Sequence, residues 1–190
     1  IGAGSYLGSL LTRWSGDLRI VLGTCQALLA AGIAWSAYLL TTVLPFRAND
    51  DALSPFLAVI FRHDLVLSLW TVTPAALMWG ASFPLALAVV ARRNEDPGCS
   101  VGIVYAANTV GAIVGALATP LVAMAWLGSQ HIQQALIGIA ALGAVMLLLP
   151  VGIDRNHRPR LSGRTAGLVT IPLVLAAMLM STVRPVPGDL

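Results

Sequence analysis

Long apolar runs separated by short charged or Pro/Gly-rich breaks fill the chain from end to end. The hydrocarbon core of a bilayer takes about 20 apolar residues per helical crossing, and the pattern supplies several such runs. Residues 1–12 are apolar and glycine-rich but too short to cross alone, so they read as the end of a truncated helix, closed off by Arg13 and Arg19. Residues 18–46 hold a full crossing ended by Pro45, and the polar residues 47–51 fall in water or headgroups. Residues 54–62 are apolar but short, which predicts a segment along the interface, with a re-entrant dip as the alternative. Residues 65–91 form the next long run. Pro74, Gly80 and Pro84 interrupt it and predict a kinked helix whose freed carbonyls are covered by neighbours. After a charged turn at 92–99, residues 101–127 cross again with Pro120 near the far end, and 128–130 make a turn. Residues 132–151 are the cleanest span, 154–164 a basic loop, and 166–183 the last crossing, bent at Pro172.

The fold class that follows is all-α: a polytopic transmembrane helix bundle of about six membrane segments, the first partial, with kinked helices. One domain covers residues 1–183, and an extramembrane tail covers 184–190. Composition strengthens this reading, because 57% hydrophobic residues, 10% charged residues and a mean hydropathy of +0.84 do not suit a soluble domain. The absence of a basic stretch leading into a short apolar core and cleavage site argues against a signal peptide, and the start at Ile1 predicts a missing N-terminal piece.

All eleven basic residues are Arg, and the pI is near 9.4. They fall at helix ends without an aromatic-basic stripe, which favours lipid phosphates over nucleic acid as their partner. Consecutive crossings place Arg13, Arg19, Arg92, Arg93, Arg155, Arg158, Arg160 and Arg164 on one side, and Arg47, Arg62 and Arg184 on the other. Because cytoplasmic loops hold the basic excess, the first side is expected in the cytoplasm and the C-terminal tail outside. The expected location is the inner membrane of a bacterium. The parity holds only if residues 54–62 do not cross.

Candidate chemistry is sparse. Gly2, Gly4 and Gly8 are spaced one residue too long for a dinucleotide fingerprint, and no strand precedes them. Gly4 with Gly8, and Gly111 with Gly115, lie four apart on a helical face, the spacing that lets two helix backbones approach closely in lipid. Tyr105, Asn108 and Thr109 form a candidate intramembrane polar site. Asn108 is placed to bond a neighbouring helix or the backbone freed by Pro74 or Pro84, as packing glue or as part of a substrate route. His63 and Asp64 begin the third run and His131 the fifth, positions suited to interfacial caps or, less simply, to proton transfer or axial ligation of a cofactor. Cys25 and Cys99 make neither a disulfide framework nor a spaced metal site. There is no phosphate-binding loop, zinc-protease motif or nucleophile elbow, no paired carboxylates, and no acid or Lys deep in a span. No cofactor, metal or catalytic set is expected.

Met-Trp-Gly-Ala-Ser-Phe-Pro-Leu-Ala from Met78, then Gly98 to Gly102, then Tyr105-Ala-Ala-Asn-Thr-Val-Gly-Ala-Ile-Val-Gly-Ala-Leu resemble the membrane part of the fused spermidine-synthase-like proteins. The strongest stretch covers residues 78–127. In that family a multi-helix segment, distantly similar to major facilitator transporters, precedes a soluble domain resembling polyamine aminopropyltransferases. Gly-Ser-Leu-Leu-Thr-Arg at 8–13 is similar to the loop motif after the second helix of major facilitator proteins, with Thr12 where that motif has an acid. The tail Pro-Val-Pro-Gly-Asp-Leu at 185–190 resembles the approach to the synthase domain, which the chain does not reach.

The expected function is therefore a non-catalytic anchor or accessory scaffold, holding a fused synthase-like domain at the bilayer or packing with other membrane subunits. Two alternatives stand beside it. One is a permease half for a small solute, a polyamine among the candidates, suggested by the proline-broken helix. The other is a cofactor-holding subunit built on His63 and His131.

Overall fold

A computed structural model describes residues 1–43, 57–92 and 97–148, together with 170–171, 173–174, 176–178 and 181. The predicted loops at 47–51 and 154–164, the bend at Pro172, and the tail at 184–190 lie outside the described residues. Helix is the regular structure found among those described: α1 (Gly2–Trp14), α2 (Leu18–Tyr38, continued by a π-helical turn Leu39–Val43), α3 (Leu57–Ala91), α4 (Pro97–Ala118) and α5 (Met124–Leu148). Three helical stretches are long and apolar enough to cross a membrane: Leu18–Thr41, Asp64–Ala91 and Val101–Leu148.

The last of these is 48 residues long. At ~1.5 Å per residue a straight helix of that length would reach ~72 Å, more than twice the hydrocarbon thickness. It is broken twice. A π-helical turn spans Thr119–Ala123, around Pro120, whose ring supplies no N–H. Gly128 then takes φ 73° and ψ 166°, a region essentially closed to side-chain-bearing residues. The turn predicted at 128–130 is thus made by its glycine.

Residues 57–62 do not form a separate interfacial segment; they are the first turns of α3. Arg62 and Asp64 looked like a boundary, but no Pro or Gly separates them from the apolar run, so the helix passes through with both side chains exposed. A helix of 35 residues rises ~52 Å, so its early turns stand clear of a ~30 Å core. Pro74 and Pro84 sit inside this helix, which is continuous through both. Pro97 opens α4, in the first turn where a missing N–H costs nothing.

α2 is the central helix. It is rich in Ala and Gly, and Leu22, Gly23, Cys25, Ala27, Ala30, Ala34 and Ala37 are all buried. α3 packs on one side of it and α5 on another, while Leu173 and Ala176 of the last segment join the α2–α5 seam. Directions follow from paired positions. Gly32 meets Pro74 and Ala75 while Cys25 meets Met78, so α2 and α3 are antiparallel. Gly23 meets Leu148 while Ala34 clusters with Ile137, so α2 and α5 are antiparallel too. α1 lies on α3 in parallel, with Gly4 over Leu77 and Gly8 over Ala81. Among the described residues α4 packs on α3, with Phe83 and Tyr105 edge to face at 5.1 Å.

These directions gather the ends of α1, α3 and α5 with the start of α2. Two arginines join them there. Arg19 donates to the Met146 carbonyl (3.3 Å), and Arg92 donates to the carbonyl of Gly16 (3.3 Å), with Thr12 O more distant at 3.5 Å. Cations at helix C-termini complement the partial negative charge of the exposed carbonyls. Trp14 at this face and Trp126 at the opposite one are more than 80% exposed, as expected of aromatic residues in headgroup belts.

Candidate functional site

Two features concentrate the polar chemistry of the membrane-depth region. The first is the contact of α3 with α1 and α2. Pro84 has no N–H to offer the carbonyl four residues earlier, that of Gly80. Ser5 of α1 reaches across and donates to it at 3.0 Å. Pro74 likewise orphans the Trp70 carbonyl. On the same turn Ser36 of α2 donates to the Thr71 carbonyl at 2.6 Å, and to its own Gly32 carbonyl at 3.0 Å. The Cys25 thiol adds a third, weaker bond to the Met78 carbonyl at 3.3 Å. In a solvent with no water, the Ser5 bond covers the one of these backbone oxygens that a proline leaves unmet, and the Ser36 and Cys25 bonds add a second donor to carbonyls of the turns beside the prolines.

Close approach makes these bonds reachable. A Cβ on Gly4 would overlap the Leu77 carbonyl, one on Gly80 would overlap the Ile1 carbonyl, and one on Gly8 would lie 2.6 Å from the Ala81 oxygen. Gly32 is close but less tight, with a Cβ falling 3.0 Å from the Ala75 nitrogen. By contrast, Gly111 and Gly115 have nothing within 4 Å of a built Cβ. One glycine pair thus seats a helix within the chain, and the other meets nothing among the described residues.

Asn108 is exposed, so the carbonyls near Pro74 and Pro84 are met by Ser36 and Ser5 rather than by its amide. Thr109 donates to the Tyr105 carbonyl of its own helix at 2.9 Å, and Tyr105 is spent on the Phe83 ring. The three residues therefore share the outer helix α4 without converging on a cavity. His131 Nδ1 lies 2.8 Å from the Leu127 carbonyl, spanning the break at Gly128. The His63 side chain lies outside the described residues, and among those described no three His, Cys, Asp or Glu side chains group as metal ligands. Thr12, in the stretch resembling the major facilitator loop motif, turns its hydroxyl onto Ser9 of its own helix at 2.7 Å.

The second feature is an open-sided groove of about 530 Å³ between α2, α3 and α5. Gln26, Leu29 and Ile33 of α2 form its floor, Trp79 and Ser82 one wall, and α5 from Leu136 to Leu147 the other. Among the described residues no charged side chain lines it, and Ser82 already donates to the Trp79 carbonyl at 2.7 Å. Pattern reading singled out neither Gln26 nor the serines. Gln26 carried the same signal as Asn108, an amide inside a span. Ser5 and Ser36 carried none, since a hydroxyl becomes informative only once the proline-freed turn opposite it is known.

No protein-family model matches the chain, and no solved structure matches it. Among curated proteins it is 36% identical over 105 residues to Polyamine aminopropyltransferase 2 of Streptomyces coelicolor, a match covering 54% of this chain and 19% of that relative. The matched stretch is about a fifth of the relative's length, so most of a protein named for its enzymatic activity lies outside it. Over part of its length, the chain is related to spermidine-synthase-like proteins.

Proposed function

We propose that this chain is a non-catalytic membrane domain that anchors a transferase-like domain at the bilayer or serves as an accessory scaffold in a larger membrane assembly. The observation that carries this reading is the use made of polar groups at membrane depth. Ser5, Cys25 and Ser36 all donate to carbonyls of α3, binding helix to helix. The partial match to an aminopropyltransferase supports a transferase-like domain as the one anchored. The directions of α1, α2, α3 and α5 fit about six membrane segments, the first partial, with Arg19 and Arg92 on one face; on this reading that face is the cytoplasmic one of a bacterial inner membrane and the bundle is distantly similar to major facilitator proteins. Gly111 and Gly115 on the outer face of α4 are then the places for helices of the larger assembly.

The test is fractionation of aminopropyl transfer to a polyamine in the native host, before and after in-frame deletion of the segment encoding residues 1–183. Activity that moves from the membrane to the soluble fraction supports an anchor. Activity that stays in the membrane, or turnover by the purified chain alone, overturns it.

A further inference from the structure

We propose that the groove between α2, α3 and α5 holds one acyl chain of an anionic phospholipid, with the headgroup phosphate at Arg19. Residues 19, 26 and 33 repeat every seventh position and share one face of α2. Gln26 and Ile33 floor the groove, and Arg19 stands at its end, donating to the carbonyl of Met146, which lines it. Along α5 the lining runs from residue 136 to residue 147, a rise of ~16 Å. One leaflet of a ~30 Å hydrocarbon core is ~15 Å deep, so the groove matches a single leaflet in length. Its walls are apolar and its side is open, with Trp79 and Ile139 largely exposed, which admits a chain laterally from the bilayer. A polyamine would need carboxylates or a carbonyl cluster, and the lining has no charged side chain. A guanidinium above an apolar slot complements a phosphate on a hydrocarbon tail. The inference requires a bilayer around the chain and is independent of any transferase.

The test uses the full chain in nanodiscs of equal parts phosphatidylglycerol and phosphatidylcholine, with retained lipid counted by native mass spectrometry. Wild type should keep one phospholipid and favour phosphatidylglycerol about fivefold, the preference one basic residue confers near an anionic surface. Arg19→Gln should keep lipid but lose the preference, a ratio that a purely structural loss would not move. Gly143→Leu should lose the lipid: Gly143 lines the groove, and a Cβ there meets nothing within 4 Å, so the larger side chain fills the slot without a clash. If that variant does not fold, Arg19→Gln decides alone. Equal retention of the two lipids by wild type, an unchanged preference in Arg19→Gln, no retained lipid, or a polypeptide cross-linked into the groove would each overturn the proposal.

Discussion

Gly8→Ala separates close packing from sequence pattern. A Cβ at Gly8 would lie 2.6 Å from the Ala81 carbonyl oxygen, 2.8 Å from Pro84 Cγ and 2.9 Å from Ala81 Cα, whereas ordinary contact begins near 3.4 Å. α1 and α3 must therefore part by about 0.8 Å. That movement stretches the Ser5 to Gly80 bond from 3.0 Å to about 3.8 Å, beyond hydrogen-bond reach, and uncovers the carbonyl that Pro84 leaves without a donor. Overpacking of this kind costs about 1–3 kcal/mol, and an interhelical bond in lipid contributes about 0.6 kcal/mol. The sum is about 2.6 kcal/mol at the middle of that range, and the gain in helix propensity of about 0.8 kcal/mol leaves about 1.8 kcal/mol, or roughly twentyfold in the folding equilibrium. Gly111→Ala is the control. It carries the same gain in helix propensity with nothing within 4 Å to meet, so it should be neutral or stabilising by up to about 1 kcal/mol. Reversible unfolding in bicelles by added dodecyl sulfate, followed by tryptophan fluorescence, reads both. A Gly8→Ala protein as stable as wild type would refute the crossing, and an equal loss in Gly111→Ala would show that α4 is also packed, against another chain.

Further outcomes can be checked with the same preparation. Ser36→Ala removes the 2.6 Å bond to the Thr71 carbonyl and should cost about 1 kcal/mol in the same unfolding assay, with Ser36→Thr recovering part of it. Gly128→Ala forces a side chain into a glycine-only backbone region and should destabilise by about 2 kcal/mol; no loss of stability would mean that the break is not at Gly128. Arg92→Ala should speed amide exchange over residues 9–15 while global stability stays within about 0.5 kcal/mol, because the arginine is exposed and acts on the end of α1. With Cys25 and Cys99 replaced, an impermeant maleimide applied to intact cells should label Trp126→Cys and spare Trp14→Cys; the reverse pattern would invert the topology.

Hydropathy and punctuation made the bundle legible. Apolar runs of the right length marked α2, α3, α4 and α5, and Gly128 stood at the turn where a straight helix would have overrun the bilayer. The boundary expected at 62–64 is absent because charge alone does not break a helix: with its polar side chains in the interface, the helix continues unless Pro or Gly stops it. Small residues four apart marked two surfaces of equal promise, yet of these two pairs Gly4 and Gly8 alone meet another helix among the described residues. Spacing specifies a face that allows close approach, and what approaches depends on the rest of the bundle. The same holds for polar residues: Asn108 stands out in a sequence, but its position on the outer helix α4 leaves it exposed, while Ser5 and Ser36 lie opposite turns opened by proline.

Gentle detergent extraction of the native protein, followed by mass spectrometry of the intact complex and of this polypeptide, tests the anchor function most directly. A transferase-like domain on the same polypeptide, or membrane subunits present in fixed stoichiometry, is the result predicted. A lone chain that catalyses or carries a solute by itself, or a protein recovered without membrane, would contradict it.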